Sequence, residues 1–484
     1  MNNISHRFVE FFSSIRSVLI LLLLISFCSI FNQDGALNAD GVGYLEQATF
    51  FVEGDFKGGF DFYPWPFFSL ILAFLHLITN IHLQILGHFL CLFLFALSAF
   101  YYLKILNLLS KNPKINFYGG LVLASSIPIM DDYVSMILRD HGLWASCMAG
   151  TFYFLKYCNE KKYKFSILWQ FSFFVGSLFR PEAIFFIFLL PIWNFLNSQK
   201  YSLKNIFKDF LLLVIASLLF ILSILLFDNA SDIIRSSRIS DLVYRPIQIL
   251  NRIFQPLPIL STDPSFEILL NKNIGIISIA ISLLIVFVKW CKSLGLFHGL
   301  LFILSLNSSI KNRLDFQFNY FKHLVFFLLV SFFIVSINIY FVYVLSNRYW
   351  GFHLWWIYIL VAPTLMFIIE HDRTLRSFKY FLLLFSSVLI LTSLIDSKIN
   401  HELEVARYIR QHDLKNVDFG ENRRISYYTY YDIYNFKAYS NEKFYLFSVI
   451  NTKLNPTYDL NNAKNIVAKF PENKPKFVLV KNAE

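Results

Sequence analysis

A carboxylate stands soon after the first long apolar run of this chain. The run, Ser17 to Phe31, leads into Asn32-Gln33-Asp34-Gly35 and then Asp40-Gly41-Val42-Gly43-Tyr44-Leu45-Glu46. Asp40, Tyr44, Leu45 and Ala48 have helical spacing, and Gly54, Gly58 and Gly59 break the pattern before Tyr63-Pro64-Trp65-Pro66. Proline at 64 and 66 pins the backbone at the start of the next apolar segment. Two more acidic groups follow, Asp131-Asp132-Tyr133 and Arg139-Asp140-His141. Asp140 also fits a helix N-terminus, where a carboxylate caps free N–H groups and meets the positive end of the helix dipole. Arg180 and Glu182 interrupt a stretch that is otherwise apolar. Ionisable groups at membrane depth cost about 2.5–3.5 kcal/mol each on insertion scales, so they pair or face a polar cavity. A structural pair at a hairpin corner and a functional role are both open to them. Arg348-Tyr349 begins another apolar run, and Arg235, Arg238, Arg245 and Arg252 lie between two others. Carboxylates can take a proton, and arginines grip phosphate oxygens two at a time. An enzyme joining a substrate in lipid to one in water needs that combination at a membrane surface. Headgroup contact is the alternative for the group 235–252.

Composition says what must hold these groups. Hydrophobic residues make up 56% of the chain and charged residues 15%, and mean hydropathy is +0.53. Apolar runs recur along the first 400 positions, the pattern of a polytopic helical membrane protein. The net charge of +11 then reads as basic loops on one membrane face, and not as a nucleic-acid surface. Five cysteines lie in or beside apolar runs without metal-ligand spacing. The first run lacks a small-residue cleavage site and reads as an uncleaved helix.

Basic clusters set the orientation. Lys104 to Lys114, Lys156 to Lys164, Lys200 to Lys208, Lys289 to Lys292 and Arg373 to Lys379 are placed in the cytoplasm. Asn32 to His82, Met130 to Asp140, the corner Arg180-Pro181-Glu182, Asp228 to Asn273 and Ser346 to Gly351 are placed outside. The expected spans are 16–31, 83–106, 115–130, 141–156, 165–179, 183–196, 210–227, 273–290, 323–345, 352–370 and 378–396. That gives about eleven crossings, with the N-terminus inside and the C-terminus outside. Phe67 to Ile78 is expected to lie in the outer interface, since no Lys or Arg follows it. Leu294 to Leu306 is likewise expected not to cross. Beyond His401 the composition changes. Glu402 to Ile409 reads as an amphipathic helix, and 416–419, 444–450 and 476–480 read as strands. The expectation is a transmembrane region, 1–400, whose first outer loop spans 32–82, followed by a small extracytoplasmic α/β domain, 401–484.

The ordered set Asp40…Tyr44-Leu45…Ala48…Gly54…Tyr63-Pro64-x-Pro66, Arg139-Asp140, Gly176-x-x-x-Arg180-Pro181-Glu182 and Arg348-Tyr349 resembles the GT-C fold of membrane glycosyltransferases. Within that fold it is similar to the bacterial polyprenyl-phosphate-sugar-dependent branch, which includes protein O-mannosyltransferases and the aminoarabinose and galacturonosyl transferases of lipid A. Trp65 separates two prolines that the family usually has adjacent, and Gly41 stands where it often has a second acid. The resemblance implies transfer, with inversion, of a hexosyl or pentosyl group from a polyprenyl-phosphate carrier to a cell-envelope glycan, lipid or protein. The site would face the periplasm or exterior of a bacterial inner membrane. By the resemblance, Asp40 is the base at the acceptor hydroxyl and Asp140 the second catalytic acid near the donor sugar. Arg139, Arg180 and Arg348 would hold the donor phosphate. Tyr44, Tyr63, Asp132, His141, Glu182 and Tyr349 would line the substrates. The departing polyprenyl phosphate is a stabilised anion, so one base and a set of cations suffice. No cofactor is required, and a divalent cation stays open. The expected partners are the two substrates and membrane lipids, with no nucleic acid. Tyr427-Tyr428-Thr429-Tyr430-Tyr431 could stack on sugars or serve as ordinary strand or core aromatics. The rivals are an O-antigen polymerase, whose chemistry usually sits in later loops, and a lipid-linked sugar flippase or transporter. Paired half-helices and an internal repeat, which would favour the latter, are not evident.

Overall fold

The computed structural model of the protein describes residues 13–32, 37–63, 65–197, 209–210, 264–306, 318–342, 348–371, 376–395, 401–412, 417–418, 424, 444–448, 466–470 and 477–481. Asp34, Lys200 to Lys208, Arg235, Arg238, Arg245, Arg252, the expected span 210–227 beyond its first residue and the tyrosine run 427–431 lie outside the described residues.

The described chain is mostly helical. Helix α1 (Ile15–Phe31) starts at Ser14, whose hydroxyl accepts the Ser17 N–H at 3.0 Å. Helices α2 (Ala39–Val52), α3 (Phe56–Phe62) and α4 (Phe67–Thr79) follow in the first connection. Gly54, at φ 82°, ends α2, a left-handed position that suits glycine. The Asp55 side chain then caps α3 through the Gly58 N–H at 2.8 Å. Next come α5 (Leu83–Leu109), α6 (Ile115–Ala124), a π-helical turn (Pro128–Tyr133), α7 (Asp140–Glu160) and α8 (Tyr163–Phe179). A 3₁₀ turn (Pro181–Ala183) opens onto α9 (Ile184–Asn197). The later helices are α10 (Pro264–Ser305), α11 (Phe318–Val342), α12 (Arg348–His371), α13 (Arg376–Ile395) and α14 (His401–Gln411).

Three helical segments among the described residues have the length and composition to cross a bilayer: Leu83–Leu109, Leu283–Ser305, which is broken at Gly295, and Arg348–Glu370. Six more described segments are apolar but shorter, and the expected span 210–227 lies almost wholly outside the described residues, so the eleven crossings are not confirmed. At 1.5 Å per residue, the 17 residues of α1 or α8 span about 25 Å against about 30 Å of hydrocarbon. Large apolar side chains turned outward, among them Ile20, Leu24, Phe89, Phe93, Leu296, Ile303, Leu329 and Leu384, point to a membrane protein.

Helix α12 is the axis of the bundle. Leu354, Trp355, Trp356, Ile357, Tyr358, Ile359, Val361 and Ala362 are all fully buried, as expected of a helix apolar on every side. Trp356 stacks on Phe327 of α11 with the rings 5.8 Å apart, and Trp355 meets Phe95, Tyr102 and Trp144. Several of its polar atoms are paired inside: Tyr358 Oη with Ser126 at 2.6 Å, Trp356 Nε1 donating to Thr151 at 3.2 Å, His353 with Ser331 at 2.7 Å.

Polar contacts define two ends of the bundle. At one, the Asn116 amide donates to the Ser13 carbonyl, Lys114 pairs with Glu370 at 2.8 Å, and Lys379 donates to the Ile369 carbonyl. At the other, Asn32 at the end of α1 donates to the Leu394 carbonyl near the end of α13, and Asp40 meets Arg348. One expected assignment changes. Trp290 packs on Phe332, whose ring also touches Trp350 and His353 in the first turns of α12. The Lys289–Lys292 stretch therefore lies nearer the Arg348 end than the Glu370 end. Just beyond it, the backbone kinks at Gly295, at φ 69° and ψ 170°.

Beyond residue 400, α14 is followed by strands β1 (Val417–Asp418), β2 (Phe444–Ser448), β3 (Ile466–Phe470) and β4 (Phe477–Lys481). They form one sheet in the order β1-β2-β4-β3, with β1 and β2 parallel and the other pairs antiparallel. β3 is a strand that the sequence reading did not anticipate. Val405, Ala406 and Ile409 of α14 are buried in one apolar cluster with Leu45 and Ala48 of α2 and Phe68 and Leu72 of α4. This places the start of the C-terminal region at the Asp40 end.

Candidate functional site

Four separate connections deliver charged side chains to the Asp40 end. Asp40 lies in the first turn of α2, with its side chain 42% exposed. Asn38 fixes that turn, its side-chain oxygen accepting the Ile137 N–H at 3.1 Å just ahead of α7. Arg348, the first residue of α12, forms an ion pair with Asp40 through Nη1.

The second group is buried. Asp140 opens α7 and Arg180 follows the last residue of α8; they are 2% and 6% exposed and are ion-paired. Glu182 holds the other side of the same guanidinium, with Oε1 2.6 Å from Nη2 and Oε2 3.3 Å from Nε. Burial alone would push Arg180 toward losing its proton, but the Asp140 and Glu182 carboxylates overcome this and raise it well above its ordinary value. Small residues make the pairing possible. Gly142, Ser146 and Gly150 recur every four residues on α7 and face Phe179, Gly176 and Phe173 of α8. A Cβ at Gly150 would lie 2.6 Å from Phe173, and one at Gly142 would collide with the Phe179 ring. Such small-residue seams let helix backbones approach closely. Here the seam sets the start of α7 against the end of α8.

Arg139 differs from its neighbours. It is 7% exposed, yet its Nε and Nη1 meet no acceptor among the described residues. Its guanidinium lies 5.2 Å from the centre of the Tyr63 ring and 6.0 Å from that of Tyr44, a cation–π contact that leaves the N–H edge open. The Tyr44 hydroxyl is pushed up to about 12, chiefly by burial, with Arg139 and Arg180 opposing and Asp140 and Tyr63 adding to it. Tyr44 is therefore a neutral hydrogen-bond donor at physiological pH, not a base. Tyr349 joins the two groups, its ring 4.9 Å from the Arg180 guanidinium and 5.2 Å from that of Arg348. Asp140, Arg180, Glu182 and Tyr349 line a small cleft together with the apolar Ile334, Val335 and Phe352.

Nine of the sequence-derived residues thus come together: Asp40, Tyr44, Tyr63, Arg139, Asp140, Arg180, Glu182, Arg348 and Tyr349. Two are placed otherwise. His141 is fully buried, its Nε2 3.1 Å from the Tyr133 carbonyl and its ring edge-on to Trp144. Asp132 lies in the π-helical turn before α7 and is partly exposed. Gln47 is the positioning residue that the sequence reading missed. Fully buried on α2, it donates to the Gly59 carbonyl at 2.8 Å and the Tyr63 carbonyl at 2.6 Å, holding Tyr63 under Arg139. Its signal was a lone amide between Leu45 and Ala48 on an otherwise apolar face. Among the described residues no three His, Cys, Asp or Glu side chains are grouped as metal ligands.

Comparison with protein-family models and with curated proteins returned no match for this chain.

Proposed function

We propose that the chain is an integral membrane glycosyltransferase of the GT-C type, transferring a sugar from a polyprenyl-phosphate carrier to a cell-envelope acceptor. One observation supports the reading most: a buried arginine with unfilled N–H donors stands beside an acid–base cluster at one end of an apolar helical bundle. A buried cation with open donors calls for an anion. A lipid-linked phosphate can reach that depth from the bilayer while its sugar points to water.

In this reading Arg139 is the principal phosphate ligand. Arg180 is already neutralised by Asp140 and Glu182, so it orders the site and presents Asp140 toward the sugar. Among the described residues Arg348 has an Nε without an acceptor and an Nη1 on Asp40, so it can bridge donor phosphate and base. Asp40, the more exposed carboxylate, receives the acceptor hydroxyl's proton as that oxygen attacks the anomeric carbon. The bond to the phosphate oxygen breaks and polyprenyl phosphate leaves as an anion. Neutral Tyr44 donates a hydrogen bond, and Tyr63 and Tyr349 offer flat faces to the sugar.

The test is direct. Purified protein in detergent or vesicles is given polyprenyl-phosphate-linked sugars, and release of polyprenyl phosphate is followed. Release that depends on Asp40 supports the proposal. No release with any pentose or hexose donor, alongside measured transbilayer movement of the donor, would favour the transporter reading.

A further inference from the structure

At the end of the bundle opposite Asp40, the termini of three helices enclose a cavity of about 200 Å³. Its walls include Asn159 and Lys161 at the end of α7, Asn197 at the end of α9, and Tyr320, Lys322 and His323 in the first turns of α11. Lys161 and Lys322 form no ion pair among the described residues. The nearest acid on α7, Glu160, is already engaged by Lys162 at 2.7 Å and Lys156 at 3.5 Å. Asp209 lies behind the wall, fully buried and held by Ser166 and Asn194 at 3.1 Å each. His323 Nδ1 accepts from Trp193 Nε1 at 2.9 Å, which puts the proton of a neutral ring on Nε2 and makes that atom a donor. Lysines, amides, a phenol and an imidazole N–H form a lining rich in donors.

We propose that this cavity binds the phosphate of an anionic phospholipid headgroup, at a site separate from the Asp40 cluster. Its surroundings favour a lipid over soluble phosphate. Beside the cavity, α9 turns Ile192, Phe195 and Leu196 outward at 48%, 53% and 72% exposure, an apolar ridge against which acyl chains can lie. Trp193 stacks on Phe326 at 4.5 Å, placing an aromatic pair at the same level, where membrane interfaces concentrate such rings. The sequence following α9, Ser198 to Lys208, carries Lys200, Lys204 and Lys208 and no acid. Basic pockets between membrane helices on the cytoplasmic side are suited to anionic headgroups.

Native mass spectrometry of the full chain in detergent tests this, with phosphatidylglycerol, phosphatidylcholine and inorganic phosphate as probes. The wild type should retain phosphatidylglycerol in preference to phosphatidylcholine, and millimolar inorganic phosphate should displace it poorly. Lys161→Gly and Lys322→Gln should each weaken phosphatidylglycerol retention about fivefold, the equivalent of about 1 kcal/mol per charge near an anionic surface. Lys161 sits at φ 52°, a left-handed position that glycine adopts freely, so that variant keeps the fold even if the other does not. Lys104→Gln, a lysine outside the cavity, should change nothing. Retention of phosphatidylglycerol by Lys161→Gly at wild-type strength, or equal retention of both lipids, would overturn the site. Complete displacement by inorganic phosphate would overturn the lipid assignment.

Discussion

At the scale of single residues, the arginines divide by what already surrounds them. Arg180 lies between two carboxylates, and removing it leaves buried acids unpaired, which costs about 3–5 kcal/mol. Arg180→Met should therefore lower thermal stability markedly, as read by unfolding in detergent. Arg139→Met removes a buried cation whose Nε and Nη1 meet no acceptor among the described residues, so stability should hold or rise while donor affinity falls by tenfold or more. Equal unfolding temperatures and equal donor affinities for the two variants would overturn this division of roles. Asp40→Asn preserves shape but cannot accept a proton, so turnover should drop by about 10²–10⁴ with donor binding retained. Asp34→Asn, earlier in the same connection, should be nearly silent in the same transfer assay. Wild-type turnover by Asp40→Asn in a folded, inserted protein would pass the role of base to Asp140.

At the scale of elements, the seam between α7 and α8 determines whether Asp140 and Arg180 meet. Gly150→Leu forces a side chain into the Phe173 ring, and overpacking of this kind costs about 1–3 kcal/mol. The variant should lose stability and transfer together although no charged group has been changed. Gly299→Leu is the control, because a Cβ there meets only Leu294 at ordinary contact distances. It should leave transfer activity unchanged. Gln47 works in a similar way within the first connection. Gln47→Leu keeps the size but drops two hydrogen bonds to backbone carbonyls, so Tyr63 should loosen under Arg139. A rise in KM for the donor larger than the fall in kcat is the expected signature, since the reacting groups remain in place.

At the scale of the whole molecule, the two ends of the bundle differ in charge. Lys104, Lys111, Lys114, Lys156, Lys161, Lys162, Lys164 and Lys379 belong to connections or helix ends opposite the Asp40 cluster, and by the positive-inside rule that end is expected to face the cytoplasm. Helix α14 shares an apolar cluster with α2 and α4, so the C-terminal region should reach the same aqueous side as Asp40. A reporter fused after Glu484 should be active outside the cytoplasm, and cysteines introduced at Asp55 and Lys162 should label from opposite sides. A reporter active only in the cytoplasm would reverse the orientation.

The sequence by itself determined a helical membrane-type chain and which charged residues stand at its turns. Apolar runs longer than soluble helices need, lysines grouped between alternate runs, and acids or arginines at the remaining turns are local properties, written residue by residue. Asp40, Arg139-Asp140, Arg180-x-Glu182 and Arg348 were legible because charge at the edge of hydrocarbon is costly and so conspicuous. Only the tertiary structure decided who pairs with whom. Arg180 reaches Asp140, forty positions away, because glycines on α7 let α8 approach; Arg348 reaches Asp40 across about three hundred. Those pairings leave Arg139 with open donors, and no pattern in the sequence distinguishes it from the other two. His141 is turned into packing and Lys289–Lys292 toward the Arg348 end for the same reason. Spacing along the chain fixes which face of a helix a residue occupies, but packing among distant helices fixes what that face meets.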